Sequence, residues 1–252
     1  YLREHIIPEA RMHSVITSGG QAPNVVPAYA QIWYFVRAPT REQVDAIYAR
    51  VLDIAKGAAL MTGTTYDVDF VTGCYELLPN LALSRLMLEK MQEIGGLSFT
   101  EEEQEFARKL QQTFAPGTVA QGFEQVKRLV SCELDPAAME RPLWGEILPH
   151  TEEPIVMPGS TEVGDVSQIT PTAQVTTCCW PLGTPGHSWQ VVASSGSSIG
   201  FKGMLLAAKV LALTGLELLT RPDRLAEARA EFERRKNGRP YVSPLPENAY
   251  PH

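Results

Sequence analysis

Residues 29–48 read YAQIWYFVRAPTREQVDAIY, and the fold class turns on them. Residues 29–38 are rich in aromatic and β-branched side chains, the composition of a strand. Pro39 breaks it. Thr40 stands where a helix cap is wanted, and Gln43 stands at the third helical position, so the pair predicts a capping box. Over residues 41–61, Val44, Ile47, Tyr48, Val51, Ile54, Ala55 and Ala58 recur at three and four, so one helical face packs. Gly63 ends the helix. Upstream, residues 11–17 (RMHSVIT) read as a strand and residues 18–24 (SGGQAPN) as a turn-rich loop. Downstream, residues 65–72 (TYDVDFVT) alternate, with Tyr66, Val68 and Phe70 on one face. The order is β-β-α-β, preceded by a helix end at residues 1–7. A ferredoxin-like sandwich is β-α-β-β-α-β. The expected fold is therefore α/β of the α+β kind, with a partial ferredoxin-like domain over residues 1–76 that begins upstream of Tyr1. A second domain is expected over residues 77–252.

In that second part, residues 83–94 and 100–114 predict helices. The latter opens on Glu101, Glu102 and Glu103, which suit the positive end of a helix dipole. Residues 115–121 read as loop, and residues 126–139 are ambiguous. Residues 142–161 are rich in Pro and Gly. Residues 173–180 (AQVTTCCW) read as a strand. Residues 203–219 predict a long apolar helix buried on most sides, and residues 221–236 a charged terminal helix. The tail from Asn237 carries Pro240, Pro244, Pro246 and Pro251 and predicts irregular structure.

With 252 residues, 44% of them hydrophobic and 20% charged, the chain has the material for a substantial core. It carries 22 basic and 29 acidic residues, a net charge of −7. That argues against nucleic acid and against an anionic membrane as partners. No spanning segment is expected, because Lys209 and Glu217 interrupt the apolar stretch 204–219, and a span takes about 20 apolar residues. The N-terminus lacks a signal-peptide core. Four cysteines, Cys74, Cys132, Cys178 and Cys179, form no CxxC pair. Reduced thiols in a cytoplasmic protein are the expectation.

Five histidines are present: His5, His13, His150, His187 and His252. No HExxH and no HxD occurs, so local spacing gives no metal site. His187 lies in the turn GTPGHS at 183–188, after an expected strand, where α/β proteins place ligands. Residues 159–165 (GSTEVGD) offer backbone N–H groups to a carboxylate or phosphate, without the GK[ST] ending of a P-loop. Residues 196–200 (GSSIG) match the letters of a nucleophile elbow, with a strand expected at 190–193. The only later histidine is His252, so a turn before the apolar helix is the reading adopted. Asn24 and Arg37 suit a carbonyl oxygen and a carboxylate, respectively.

GGQAPNVVP at 19–27 with YFVR at 34–37 resembles the lid, or dimerisation, domain of the M20 metallopeptidases and amidohydrolases. GSTEVGDVS at 159–167 with PGHS at 185–188 resembles the closing part of their catalytic domain. Within the family the likeness is to aminoacylase-like amidohydrolases of the p-aminobenzoyl-glutamate type, over about residues 1–219. The resemblance implies two divalent metals, zinc or manganese, bridged by a water, with a Glu as general base. It implies His187 as the last metal ligand. It implies Asn24 and Arg37 as lid residues on the substrate's carbonyl oxygen and carboxyl end. Gly159, Ser160 and Thr161 become a contact for the substrate carboxylate, and Asp165 lies near the site. An N-acyl or N-aroyl amino acid as substrate, a homodimer through the lid and a homologous A-type subunit follow from the same likeness. The family's other metal ligands and its general base would fall upstream of Tyr1. The expectation is thus an inactive C-terminal portion of a roughly twice-longer enzyme, holding no stable metal alone. A different class stays open: a non-catalytic binding or assembly subunit whose ferredoxin-like domain pairs edge to edge.

Overall fold

The structure, a computed structural model, describes residues 1–153, 155–157 and 159–247. Pro251 and His252, named above, and Pro154 and Pro158 of the 142–161 stretch lie outside the described residues. In chain order the elements are a 3-10 turn Leu2–His5, β1 (Arg11–Ser18), β2 (Gln31–Arg37), α1 (Arg41–Thr62), α2 (Leu81–Ile94), α3 (Glu101–Gln111) and α4 (Thr118–Leu129). A second 3-10 turn at Pro136–Glu140 precedes α5 (Val163–Ser167), α6 (Trp189–Ser195), α7 (Ser198–Thr220) and α8 (Pro222–Lys236). Two compact units emerge. The first holds Tyr1–Leu77, Val156–Ile169 and the segment from Pro240 on; the second holds Leu78–Ile155 and Thr170–Arg239.

In the first unit, β1 and β2 form an antiparallel hairpin with Met12 opposite Val36 and Val15 opposite Trp33. The helix is built as its sequence demands. Thr40 accepts from the Gln43 N–H, Gln43 reaches back to the Thr40 N–H, and Gly63 closes the helix at φ 64°, a left-handed value that glycine adopts without strain. Each such cap stabilises by about 1 kcal/mol. Leu2, Ala10 and Ile47 are buried together, with Ile6, Ile7, Met12, Val36 and Val51 packed on them. The helix therefore covers the hairpin at its Met12–Val36 end. On the opposite face, Val15, Trp33 and Phe35 stay exposed, the two rings 5.3 Å apart.

The third strand expected at residues 65–72 does not form. Among the described residues there is one two-stranded sheet, and 65–72 form no strand of it. Alternation marks a strand only where a neighbour takes the ladder hydrogen bonds. The ferredoxin-like reading is thereby reduced to β-β-α. The strand expected at 173–180 fails in the same way, and residues 190–193 are helical, inside α6.

The second unit is helical. Asn80 caps α2 through the Leu83 N–H, and its amide donates to the Ala228 carbonyl of α8 at 2.8 Å. Glu231 of α8 accepts from the Ala82 N–H at 2.7 Å, placing a carboxylate at the positive end of α2. Thr100 and Glu103 form the capping box of α3. Part of the expected loop 115–121 is instead the first turn of α4, which starts at Thr118 after Gly117.

The apolar helix α7 departs furthest from expectation. One face is buried: Ile199, Leu206, Val210 and Thr214 point inward, and Met87 packs with Leu206 and Val210. The opposite stripe, Phe201, Met204, Leu205, Leu211, Leu216 and Leu219, is exposed. At 3.6 residues per turn these positions fall within an arc of about 140°, so they share one broad face. By length and composition α7 is also apolar enough to cross a membrane, which the sequence reading excluded. Lys209 and Glu217 are too few to disqualify it. Glu217 is nevertheless engaged with Lys90, which is only 6% exposed and also meets Glu93. The inner face of α7 is thus committed to α2.

Glu103 is the densest junction of this unit. It is buried, and its carboxylate accepts from the Thr100 N–H at 2.7 Å, Ser198 Oγ at 2.6 Å and Lys202 Nζ at 2.6 Å. Burial alone would raise its pKa, but the donors from Lys202, Ser198 and Thr100 outweigh burial and lower it. Glu103→Ala should therefore cost roughly 2–3 kcal/mol, as for removing one partner of a buried ion pair that is partly open to water. A depressed folded pKa contributes stability above the ordinary carboxylate value of about 4.3, and this is lost as pH falls through the lower folded value. Thermal melts from pH 7 to pH 3 should show the wild-type advantage over Glu103→Ala shrinking toward the acid end. A constant gap would contradict the assignment.

Candidate functional site

The first unit gathers Arg37, the 159–167 loop, residues 74–76 and the start of the tail. Arg37 ends β2 on the face turned away from α1. Its ladder partner is Arg11, and two opposed cations repel. Arg11 folds back to donate to the carbonyls of Pro8 and Ala10 at 2.6 and 2.8 Å. Half-buried Arg37 instead donates to Ser160 Oγ at 2.6 Å. Among the described residues its hydrogen-bond partner is this hydroxyl rather than a carboxylate.

The loop carrying Ser160 is pinned to residues 75–76 from below. A Cβ at Gly164 would overlap the Tyr75 carbonyl oxygen, so only glycine lets the backbones approach this closely. Asp165 accepts from the Tyr75 N–H at 3.2 Å and from the Tyr241 hydroxyl at 3.1 Å. The Tyr75 and Tyr241 rings lie 5.3 Å apart, and the Tyr75 hydroxyl donates to the Val242 carbonyl at 3.0 Å. Gln168 donates to the Glu76 carbonyl, and Glu76 accepts from the Arg41 N–H at 2.9 Å. The Cys74 thiol sits among these charges. Burial raises its pKa most and Asp165 adds to that, while Arg37 and a Thr161 main-chain hydrogen bond pull it down. The net shift is upward, so the thiol stays protonated near neutrality and is a poor nucleophile.

The expected residues are only partly brought together. Ser160, Thr161 and Asp165 share a loop with Gly159, and Ser160 meets Arg37. The Gly159 N–H is already given to the Met157 carbonyl at 2.9 Å, inside the loop. Asn24 lies in an exposed turn at the far end of the hairpin. Six residue steps of β2 separate Gln31 from Arg37, about 20 Å of strand, so Asn24 does not join Arg37. The participation of Tyr75 and Tyr241 escaped the sequence reading. The one available signal was an aromatic residue inside a Pro-rich tail, which suggests a tail that is tied down.

In the second unit His187 is exposed, in a turn directly before Ser188, the cap of α6. Its φ is 56°, in the left-handed region. A β-carbon there costs about 1 kcal/mol or more, and such strain concentrates at functional positions. His13 lies opposite Phe35 in the hairpin, and His150 bridges to Val130 with its Nε2 buried and unpartnered. Among the described residues no three His, Cys, Asp or Glu side chains converge as a metal site would need. The residues described here do not by themselves fit a metal pair. The GSSIG segment follows helix α6 and not a strand, so the nucleophile-elbow geometry is absent.

No protein-family model matches the chain. Curated proteins do. The B-type subunit of p-aminobenzoyl-glutamate hydrolase from Escherichia coli (strain K12) is 38% identical over 255 residues, covering all of this chain and 53% of that protein. The Xaa-Arg dipeptidase of Mus musculus is 25% identical over 92% of this chain and 42% of its own length. Its Homo sapiens counterpart is 24% identical over the same shares. The chain is thus similar along its whole length to one named hydrolase and over most of its length to two dipeptidases, in line with the M20 resemblance. It spans about half the length of the curated M20 relatives it matches. The similarity extends along the whole chain, so it includes both the hairpin loop at 19–27 and the 159–167 loop.

The Gly164 contact gives a sharp test. Gly164→Ala should destabilise the protein by about 1–3 kcal/mol, the usual cost of forcing atoms into a filled space. Gly159→Ala, where an added Cβ meets nothing within 4 Å, should be tolerated. Hydrogen exchange across residues 160–168 should speed up in the first variant only. Equal behaviour of the two would refute the close approach.

Proposed function

We propose that this chain supplies the substrate-gripping part of an M20 hydrolase that cleaves the amide bond of an N-acyl or N-aroyl amino acid. The carrying observation is Arg37. The residue is half-buried at the end of a strand, and its guanidinium is bonded to a neutral hydroxyl on a glycine-bearing loop. A fixed guanidinium with no carboxylate partner among the described residues suits the free carboxylate of an amino-acid product, which it grips through two parallel hydrogen bonds. Ser160, already within 2.6 Å of that guanidinium, adds a further polar group to the same end of the ligand. The name of the E. coli relative supports p-aminobenzoyl-glutamate as the candidate substrate, and an A-type companion subunit. The exposed Val15–Trp33–Phe35 face supports a homodimer through the hairpin unit.

For the hydrolytic step, His187 is our candidate for one metal donor. Its strained backbone, outside any helix or strand, supports that role. The remaining donors and the general base lie outside the described residues in this reading, and zinc or manganese would be the metal. The contribution of the chain itself is binding and orientation. Holding the carboxylate end fixes the amide relative to the attacking group, and such positioning is a large part of a catalysed barrier reduction.

The test uses enzyme expressed from the complete reading frame. Arg37→Ala should raise KM for an N-acyl glutamate about 10- to 100-fold, the scale of one charge-assisted contact worth roughly 1.5–3 kcal/mol. Metal content should stay at the wild-type level. Unchanged KM would sink the role of Arg37. His187→Ala should lower metal content and kcat together, measured by elemental analysis beside the assay. Full metal occupancy in that variant would remove His187 from the ligand set.

A further inference from the structure

Asp165 poses an electrostatic problem. It is a carboxylate on the loop that also presents Ser160 to Arg37. An Asp free to turn toward Arg37 would form an ion pair with it, and a paired guanidinium no longer grips an incoming anion. Both charges are close enough to act on the Cys74 thiol, Asp165 pushing its pKa up and Arg37 pulling it down. Asp165 stands five residues after Ser160, which Arg37 holds at 2.6 Å, and among the described residues the two charges are not paired. What holds Asp165 is visible: one oxygen accepts from the Tyr75 N–H and the other from the Tyr241 hydroxyl. The tail that brings Tyr241 is itself tied down by ring contact with Tyr75 and by the Tyr75 hydroxyl on the Val242 carbonyl.

We propose that Tyr241 is a positioning residue: with the Tyr75 N–H it holds the Asp165 carboxylate off Arg37, and so keeps the guanidinium free for an anionic ligand, the carboxylate end of the substrate. This rests on the reading of Arg37 as the carboxylate grip. Burial first, and then Asp165, raise the Tyr241 pKa, so the phenol remains a donor through the neutral range. The tail thereby becomes part of the specificity machinery. It does not touch the ligand, and it acts on a charge that would otherwise compete with it.

The experiment measures N-benzoyl-glutamate by titration calorimetry, and as a substrate, on protein from the complete reading frame. Tyr241→Phe keeps the ring against Tyr75 and removes only the hydroxyl. It should weaken binding, and raise KM, by about tenfold with kcat changed by less than about twofold, the pattern of a lost binding contact. The double variant Tyr241→Phe/Asp165→Asn should recover affinity to within about threefold of wild type, because a neutral amide cannot neutralise Arg37. A merely structural role for Tyr241 would leave the double variant as weak as the single one, and that result overturns the proposal. So does unchanged affinity in Tyr241→Phe. Where Tyr241→Phe fails to fold, Asp165→Asn alone decides: affinity at or above wild type supports the proposal, and a tenfold loss overturns it. Wild-type protein that binds the ligand without hydrolysing it overturns the hydrolase reading and leaves this one to the order of affinities. Wild-type protein that does not bind the ligand at millimolar concentration overturns the anion site and this inference with it.

Discussion

One carboxylate, Asp165, sets the shape of the first unit. It accepts hydrogen bonds from residues 90 positions before it and 76 positions after it. Those two bonds join a mid-chain loop, the segment after α1 and the tail into one patch. None of these stretches has a helix or a ladder of appreciable length to hold it, so their order comes from side chains and one close backbone contact. A part-buried carboxylate with two donors is stable because its charge is met on both oxygens. The rest of the patch follows: the loop can press its Gly164 against Tyr75, and Ser160 can reach Arg37.

The second unit reaches order by a different route. Its helices carry ordinary caps, but several capping groups do double duty. Asn80 caps α2 and also bonds α8, and Glu231 of α8 sits on the first turn of α2. Glu103 completes the cap of α3 and also binds two residues of α7. A cap that is also a tertiary contact couples the existence of one helix to the placement of another. This makes the unit cooperative beyond what its apolar core alone would give.

Local signals were legible in the sequence, and pairings across the chain were not. Thr40 and Gln43 are spaced three residues apart, Gly63 ends a periodic run, and the structure uses them as read. The acidic first turn of α3, read only as support for the dipole, also supplies Glu103 to a capping box with Thr100. Residues 65–72 and 173–180 have strand composition, but composition carries no information on whether a neighbour exists to take the ladder bonds. Tyr241 and Asp165 illustrate the same limit from the other side, because nothing near either residue announces a contact 76 positions away. For the site, the sequence reading assigned Arg37 and the 159–161 loop to the same end of a ligand, and the structure joins Arg37 to Ser160 by a hydrogen bond. The distance between Asn24 and Arg37 was not, since it depends on which end of a hairpin each occupies.

The two-faced character of α7 has a consequence for the life of the chain in a cell. A stripe of six large apolar side chains, with Leu219 85% exposed, is the kind of surface that holdase chaperones grasp and that quality-control proteases use as a mark of incompleteness. Its abundance would then be governed less by the free energy of its own folding than by how quickly that stripe is hidden. A cell could keep or discard the protein by reading one helix.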